Sequence, residues 1–199
     1  ATAFSALAST VTVVARSGLL GNLEPFAGEA VAESLREAGV DLRMNVETTR
    51  VVREEGAVEV TLSDGAVVHA DEVLVATGRI PRTEDIGLDV VGIEPGSWLS
   101  VDDTMLVHGT DWLYAVGDVN RRALLTHQGK YQARAAGDVI AARAKSSEVD
   151  DAPWGKHVAT ADHQAVPQVT FTDPEVASVG HTEASARKAG YSVRVLDYD

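Results

Sequence analysis

The chain contains no cysteine among its 199 residues. This absence excludes disulfide scaffolding, thiolate nucleophiles and cysteine-rich metal sites from these residues. Positive charge is also scarce, since 17 lysine and arginine residues stand against 30 aspartate and glutamate residues, for a formal net charge of −13. Nucleic acids and anionic membrane surfaces would repel such a chain, so we expect neither as a partner.

Long hydrophobic runs are missing as well. No stretch approaches the roughly 20 apolar residues that a transmembrane helix requires. The hydrophobic content of 45% and the charged content of 24% are those of an ordinary globular protein. At this length we expect one or two domains, and a cytoplasmic location by default.

One apolar stretch leads into a glycine and an acid. Residues 113–116 precede Gly117 and Asp118, and residues 124–127 open a predicted helix with Thr126 as its N-cap. In α/β folds, a strand, a tight turn and a helix start bring backbone and one acid against a ligand. Gly117 permits close backbone approach, and Asp118 can accept hydrogen bonds from ligand hydroxyls. Turn chemistry alone explains the same pattern equally well.

A second apolar stretch has the same form. Residues 73–77 are predicted to be a buried strand, which closes on Gly78 and is followed by an exit fixed at Pro81. The other predicted elements follow from periodicity and turn residues. Helices are predicted at 1–9, 26–38, from 126 onward and at 182–190, and strands at 10–14, 41–46, 48–53, 57–62, 67–70, 168–171, 177–179 and 191–196.

Two finer predictions concern the second half of the chain. The helix that opens near Thr126 is predicted to pack through a stripe formed by Gly129, Ala133, Ala136 and Ile140. Residues 145–163 are polar and are predicted to be a linker. His157 and His163 would then be ordinary surface residues, so no metal site is expected.

Three motifs, taken in order, resemble the pyridine nucleotide-disulfide oxidoreductase family of FAD flavoproteins (class I), which includes dihydrolipoamide dehydrogenase, glutathione reductase and mercuric reductase. Residues 76–81 (Ala-Thr-Gly-Arg-Ile-Pro) are similar to the family's junction between nicotinamide and flavin domains. Residues 114–118 (Tyr-Ala-Val-Gly-Asp) are similar to its second flavin motif. Residues 166–175, running on to Gly180, are similar to the opening of its interface domain.

The resemblance implies an α/β fold: an incomplete FAD/NAD(P)-binding Rossmann-like three-layer (ββα) domain, followed by the start of an α+β interface (dimerisation) domain. Residues 1–78 would be the second half of the NAD(P)-binding domain, 79–155 the second FAD-binding segment, and 156–199 the start of the interface domain. The family's redox cysteine pair lies on a first flavin segment that this sequence does not contain. We therefore hypothesise that the chain is a C-terminal-side fragment of a longer flavoprotein.

The resemblance also implies a set of cofactor-binding residues and no catalytic residue. Asp118 would bind the ribityl and pyrophosphate region of FAD, and the helix opening at 124–127 would lie against the flavin and stabilise its negative charge when reduced. Thr48 would lie on the adenine side of the nicotinamide nucleotide, and Gly78 would offer it a backbone contact. The implied set is Arg16, Thr48, Gly78, Gly117, Asp118, Leu124, Leu125, Thr126 and His127.

The end of the first strand bears on the choice of nicotinamide cofactor. NAD-binding enzymes usually place an acid there, whereas an arginine suits the extra phosphate of NADP. Here the strand is followed by Arg16 and no acid, which favours NADPH. A solvated loop charge is the alternative explanation of Arg16.

The resemblance therefore implies an FAD-dependent NAD(P)H oxidoreductase of the disulfide reductase type, similar to dihydrolipoamide dehydrogenase, and inactive as this fragment alone. The acceptor would be a small-molecule disulfide, a quinone or a similar compound, and the parent protein would be a homodimer. Two alternatives stay open at this point. One is a flavin oxidase or quinone reductase of the same fold, and the other is a non-catalytic nucleotide-binding module.

Overall fold

The computed structural model describes residues 1–198, which fall into two compact units. The first comprises Ala1–Thr77, Val169–Ser178 and the residues from Thr182 onward, and the second comprises Gly78–Gln168 and Val179–His181. The elements in chain order are α1 (Thr2–Ala6), β1 (Thr12–Ala15), α2 (Pro25–Glu37), β2 (Asp41–Met44), β3 (Thr48–Glu54), β4 (Ala57–Leu62), β5 (Val67–Ala70), α3 (Thr126–Ala144), α4 (Ala161–Gln164), β6 (Pro167–Thr170), β7 (Val176–Val179) and α5 (Glu183–Lys188).

The first unit is built on a parallel pair, β1 and β2, with helix α2 against it. Pro25 opens α2, where its missing N–H is not needed for a helical hydrogen bond. Val31 and Leu35 lie one turn apart on the buried face of α2 and form a core cluster with Val40. This β–α–β arrangement confirms the α/β class predicted from the sequence.

An antiparallel sheet, ordered β3-β4-β5, also belongs to the first unit. Along β4 the side chains of Val58, Val60 and Leu62 are buried, and the residues between them are not. That alternation is what a sheet with one covered face requires. Strands β4 and β5 have the bounds that the sequence predicts.

The second unit packs mostly loops against one long helix, α3. Ala135 and Ala136 of α3 cluster with Met105 and Ala159, all four buried. A second cluster joins Leu88, which opens a 3₁₀ turn, to Leu99, Val107 and Ala115, and none of the four lies in an α-helix. Among residues 1–198 no helix is long and apolar enough to cross a membrane.

Three predicted strands are wrong. Residues 73–77 form no strand, and the side chains of Leu74 and Val75 are 78% and 70% exposed. Residues 113–116 make only an isolated bridge, from Tyr114 to Leu106, and residues 191–196 form no strand. A strand needs a neighbouring strand to satisfy its backbone. No described strand pairs with residues 73–77 or 191–196, and residues 113–115 pair with residues 105–107 only over a few positions.

The linker predicted at 145–163 is also wrong. Its second half is packed into the second unit: His157, Ala159 and Asp162 are buried, and α4 begins at Ala161. Polarity misled the prediction because the buried polar groups here have partners inside the protein.

Helix α3 departs from its predicted start and face. Its first residue is Thr126, so the N-cap is Leu125, which has an extended backbone and no capping side chain. Its buried face includes Ala136 of the predicted stripe but also Gln128 and Gln132, whereas the stripe is wrong at Ala133, which is exposed, and at Ile140, which is 47% exposed. Periodicity favours apolar residues for a buried face, and buried glutamines are invisible to it.

Candidate functional site

The turn at Gly117 and Asp118 lies at the centre of the candidate site. Gly117 has φ 79° and ψ −156°, a conformation that essentially only glycine adopts. Its N–H donates to Oε1 of Gln132 at 2.7 Å. Residues Asp118–Asn120 continue as a single 3₁₀ turn. The backbone of this turn is therefore fixed from the α3 side.

Gly129 brings the turn unusually close to α3. A Cβ on Gly129 would lie 3.2 Å from the Cα of Gly117, which is tighter than ordinary contacts between side chain and backbone. With a glycine on both sides, the turn rests directly on the first turn of the helix.

Asp118 is held by a residue that the sequence analysis missed, Arg79. Nη1 of Arg79 donates to Oδ2 of Asp118 and to the carbonyl of Leu124, each at 2.9 Å. The Asp118 side chain stays 52% exposed. No described residue donates to its Oδ1, so that oxygen can accept from a ligand. Arg79 was detectable as the one charged residue in the stretch 73–81.

The start of α3 presents backbone donors next to this turn. The N–H groups in a helix's first turn have no intrahelical partner, and no side chain caps α3. Leu124 and Leu125 are half-buried, whereas Thr126 and His127 are exposed. Nε2 of His127 donates to the Pro167 carbonyl at 2.7 Å, which fixes the proton on that nitrogen because a carbonyl only accepts.

The structure brings some of the predicted cofactor residues together and not others. Gly117, Asp118 and the residues from Leu124 to His127 surround one turn of the second unit, and Gly78, also exposed, precedes Arg79 there. Arg16 and Thr48 belong to the first unit. Both are exposed, after β1 and at the start of β3 respectively.

A buried polar network lies behind the site, and the sequence analysis missed it. The Asp162 carboxylate, with 0% side-chain exposure, accepts from Nε2 of both Gln128 and Gln132 at 3.0 and 2.8 Å. Nε of Arg122 lies 3.2 Å from Asp162 Oδ2, an ion pair without hydrogen-bond alignment. Burial raises the pKa of Asp162, and its hydrogen bonds and Arg122 offset this only in part.

The pKa of Asp103 is shifted downward, in contrast to that of Asp162. Nη2 of Arg122 and Nε2 of His163 each lie 2.7 Å from its Oδ1. Burial works to raise the pKa of Asp103, but the hydrogen bonds with His163 and Arg122 outweigh it and hold the pKa below its usual value. The carboxylate is thus kept charged.

Comparison with known proteins places the chain in a family. A family model described as pyridine nucleotide-disulphide oxidoreductase matches residues 1–144, and the dimerisation domain of the same family matches residues 166–199. The chain belongs to the pyridine nucleotide-disulphide oxidoreductases, a family of FAD- and NAD(P)-dependent oxidoreductases.

Several named enzymes are similar to this chain. It is 31% identical over 181 residues to a glutathione reductase of Burkholderia cepacia, and 33% identical over 196 residues to a mercuric reductase of Shigella flexneri. A dihydrolipoyl dehydrogenase of Staphylococcus aureus is 29% identical over 203 residues. These alignments cover 90%, 96% and 99% of this chain but 37%, 32% and 40% of the relatives. The chain therefore spans about a third to two fifths of the proteins that it matches.

Solved structures agree on the fold. LpdA from Mycobacterium tuberculosis superposes with a TM-score of 0.76 at 29% identity, over 97% of this chain and 40% of that one. The HOCl-induced flavoprotein disulfide reductase RclA from Escherichia coli superposes with a TM-score of 0.77 at 26% identity, over 98% and 42% of the two chains.

The candidate site fits the FAD that this family uses. FAD carries ribityl hydroxyls, which suit a carboxylate acceptor, and a pyrophosphate, which suits close backbone donors. The Gly117 turn offers the close approach, Asp118 offers a partly free carboxylate, and α3 offers uncapped N–H groups. Within residues 1–198 no group of three or more His, Asp or Glu is placed to hold a metal ion.

Proposed function

We propose that the polypeptide carrying this chain is an FAD-dependent NAD(P)H oxidoreductase of the disulfide reductase type, with activity like that of dihydrolipoamide dehydrogenase. The observation that carries the proposal is the Gly117–Asp118 turn. It rests 3.2 Å from the Cβ position of Gly129 and presents a half-exposed carboxylate, inside a region that the family model covers.

Each group at the turn has a role in this proposal. Oδ1 of Asp118 would accept a hydrogen bond from FAD in the ribityl and pyrophosphate region, while Arg79 balances the charge of the carboxylate. Residues Leu124 to His127 would lie against the isoalloxazine ring, where the N–H groups of Thr126 and His127, in the first turn of α3, would stabilise negative charge. The Leu125 N–H is already used, since it donates to the Ala123 carbonyl at 2.9 Å. When bound, FAD supplies the chemistry of taking an electron pair from a reduced nicotinamide and delivering it to an acceptor.

NADPH is the proposed nicotinamide cofactor, on the strength of Arg16. Its exposed guanidinium directly follows β1, at the strand end where a ribose-binding acid would favour NADH. Thr48 and a backbone contact at Gly78 would complete the nucleotide contacts of this chain.

The wider setting is proposed on the same resemblance. The acceptor is a small-molecule disulfide, a quinone or a related compound, and the functional protein is a cytoplasmic homodimer. The division into residues 1–78, 79–155 and 156–199 follows the family's order of nicotinamide, flavin and interface domains.

Reduction of bound flavin tests the proposal. The purified polypeptide should carry a flavin absorption band, and anaerobic NADPH should bleach it before a disulfide acceptor restores it. A preparation that binds NADPH but no flavin would instead support a nucleotide-binding module. A bleached flavin that quinone or oxygen reoxidises, but no disulfide does, would support the oxidase or quinone reductase.

A further inference from the structure

The side chain of Gln132 is completely buried beneath the Gly117 turn. Its Oε1 accepts two hydrogen bonds, from the Gly117 N–H at 2.7 Å and from Nδ2 of Asn120 at 2.9 Å. Asn120, also buried, donates in addition to the Ala115 carbonyl at 3.0 Å. One amide oxygen of α3 therefore holds both ends of the turn that carries Asp118.

The orientation of this amide is set by its partners. A backbone N–H can only donate, so the oxygen of Gln132 must face Gly117 and its NH₂ group must face Asp162. Nε2 donates to Oδ2 of Asp162 at 2.8 Å, and Gln128 donates to Oδ1 at 3.0 Å. Both carboxylate oxygens thus face donors, an arrangement that suits the ionised form with Arg122 as its counter-ion.

The turn depends on such support. Gly117 occupies a backbone region that is open essentially only to glycine, and because glycine has many other accessible conformations, its neighbours must hold it there. The Gln132 hydrogen bond acts on the residue directly before Asp118. A change at Asp162 reaches the turn through a single intervening side chain.

We propose that Asp162, acting through Gln132, is a positioning residue for the flavin. It orients the Gly117–Asp118 turn without touching the cofactor. The inference deepens the proposed function and rests on it.

Three variants separate this role from a general contribution to stability. D162N sets an NH₂ group against one of two glutamine donors, and Q132E sets two carboxylates within 2.8 Å of each other. The double variant D162N/Q132E exchanges amide and acid. In the double variant the carboxylate at position 132 accepts hydrogen bonds from Gly117, from Asn120 and from the NH₂ group at position 162. The amide oxygen at position 162 accepts the hydrogen bond from Gln128.

FAD affinity of the apoprotein, the absorption spectrum of the bound flavin and the melting temperature of the apoprotein are measured together. Each single variant should weaken FAD binding by about tenfold or more and shift the flavin band, as expected when a buried charge-assisted contact is broken. The double variant should bind FAD more tightly than either single. D138N, on the same helix and without a hydrogen bond to any described residue, should match the wild type.

The proposal is overturned if both single variants keep the wild-type FAD affinity and spectrum, even when their melting temperatures fall. A double variant that binds no better than the weaker single would also overturn it. If D162N does not fold, Q132L retains Asp162, loses the Gly117 contact, and should show the same loss of affinity.

Two reference measurements separate the inference from the proposed function. A wild-type protein that binds no FAD would overturn both together. If D118N weakens FAD binding while D162N and Q132L do not, the proposed function stands and the inference alone fails.

Discussion

Asp118 and Arg79 meet at the surface, where an isolated ion pair contributes at most about 1 kcal/mol to stability. Both side chains are about half exposed, at 52% and 55%. Arg79 also donates to the Leu124 carbonyl, so it joins the turn to a residue two positions before α3. Its main effect is to place the carboxylate and balance its charge, with only a small contribution to stability.

The proposed preference for NADPH rests on Arg16. R16Q should weaken NADPH binding by about tenfold, the loss of one charge-assisted phosphate contact, and leave NADH binding unchanged. The measurement is the apparent affinity of the flavoprotein for each nucleotide. R194Q removes another exposed arginine of the first unit and should change neither affinity. Equal losses for NADPH and NADH in R16Q would refute the preference.

The sequence indicates single candidate residues of a functional site where a motif contains them. Gly117 and Asp118 stand out because a glycine and an acid end an apolar run. Gln132 and Asp162 do not, because a buried amide and a buried acid resemble surface residues until a fold pairs them. Their distance of 30 positions along the chain gives no local signal.

At the level of elements, α3 is the structural base of the site. Gln128 and Gln132 lie one turn apart on its buried face, and Gly129 lies beside them against the Gly117 turn. The helix therefore both supports the turn and presents its own first-turn N–H groups beside it.

Two glycines of α3 provide a matched test of this packing. G129A forces the helix and the turn apart, because the added Cβ would lie 3.2 Å from Gly117 Cα, and FAD affinity should fall severalfold along with the melting temperature. G137A meets nothing within 4 Å and should raise the stability by about 0.4–1 kcal/mol. The checks are an FAD titration and a thermal melt of each variant. A G129A protein with undiminished FAD affinity would contradict the close packing.

The elements divide into those with local signals and those that need distant partners. Strands β4 and β5 were predicted with their observed bounds, because alternation and Gly-containing turns define a hairpin locally. The run at 73–77 has strand composition, but no described strand lies beside it. Composition indicates a preference for β structure, and pairing decides whether a strand forms.

On the scale of the whole molecule, the formal charge of −13 reflects an excess of carboxylates, so the change of stability at acid pH reports on their environments. The pKa of Asp103 is lowered in the folded protein, so its ionisation stabilises the fold above the ordinary value of 3.8. That contribution is lost as the pH falls through the lowered pKa. The raised pKa of Asp162 acts in the opposite sense, because ionising this buried carboxyl is harder in the folded protein than in the unfolded chain. Ionisation of Asp162 therefore lowers the stability of the fold increasingly as the pH rises above 3.8.

D103N should therefore lower the melting temperature at pH 7 by at most about 2–4 °C, the shift for about 1 kcal/mol in a chain of this size, because the carboxylate is partly solvated. The difference from wild type should shrink below about pH 3.8. Thermal melts at several pH values provide the check. D111N, on an exposed loop, is the matched control. A D103N deficit that stayed constant down to pH 3 would show that charge is not its cause.

The account depends most on FAD binding at the Gly117–Asp118 turn. The most direct measurement is the FAD dissociation constant of the apoprotein for wild type, D118N and the control D111N, which removes an exposed charge seven positions earlier. The predicted result is an increase of about tenfold or more for D118N, as for a lost charge-assisted hydrogen bond, with D111N unchanged. Equal dissociation constants for wild type and D118N would contradict the assignment of this turn as the flavin site.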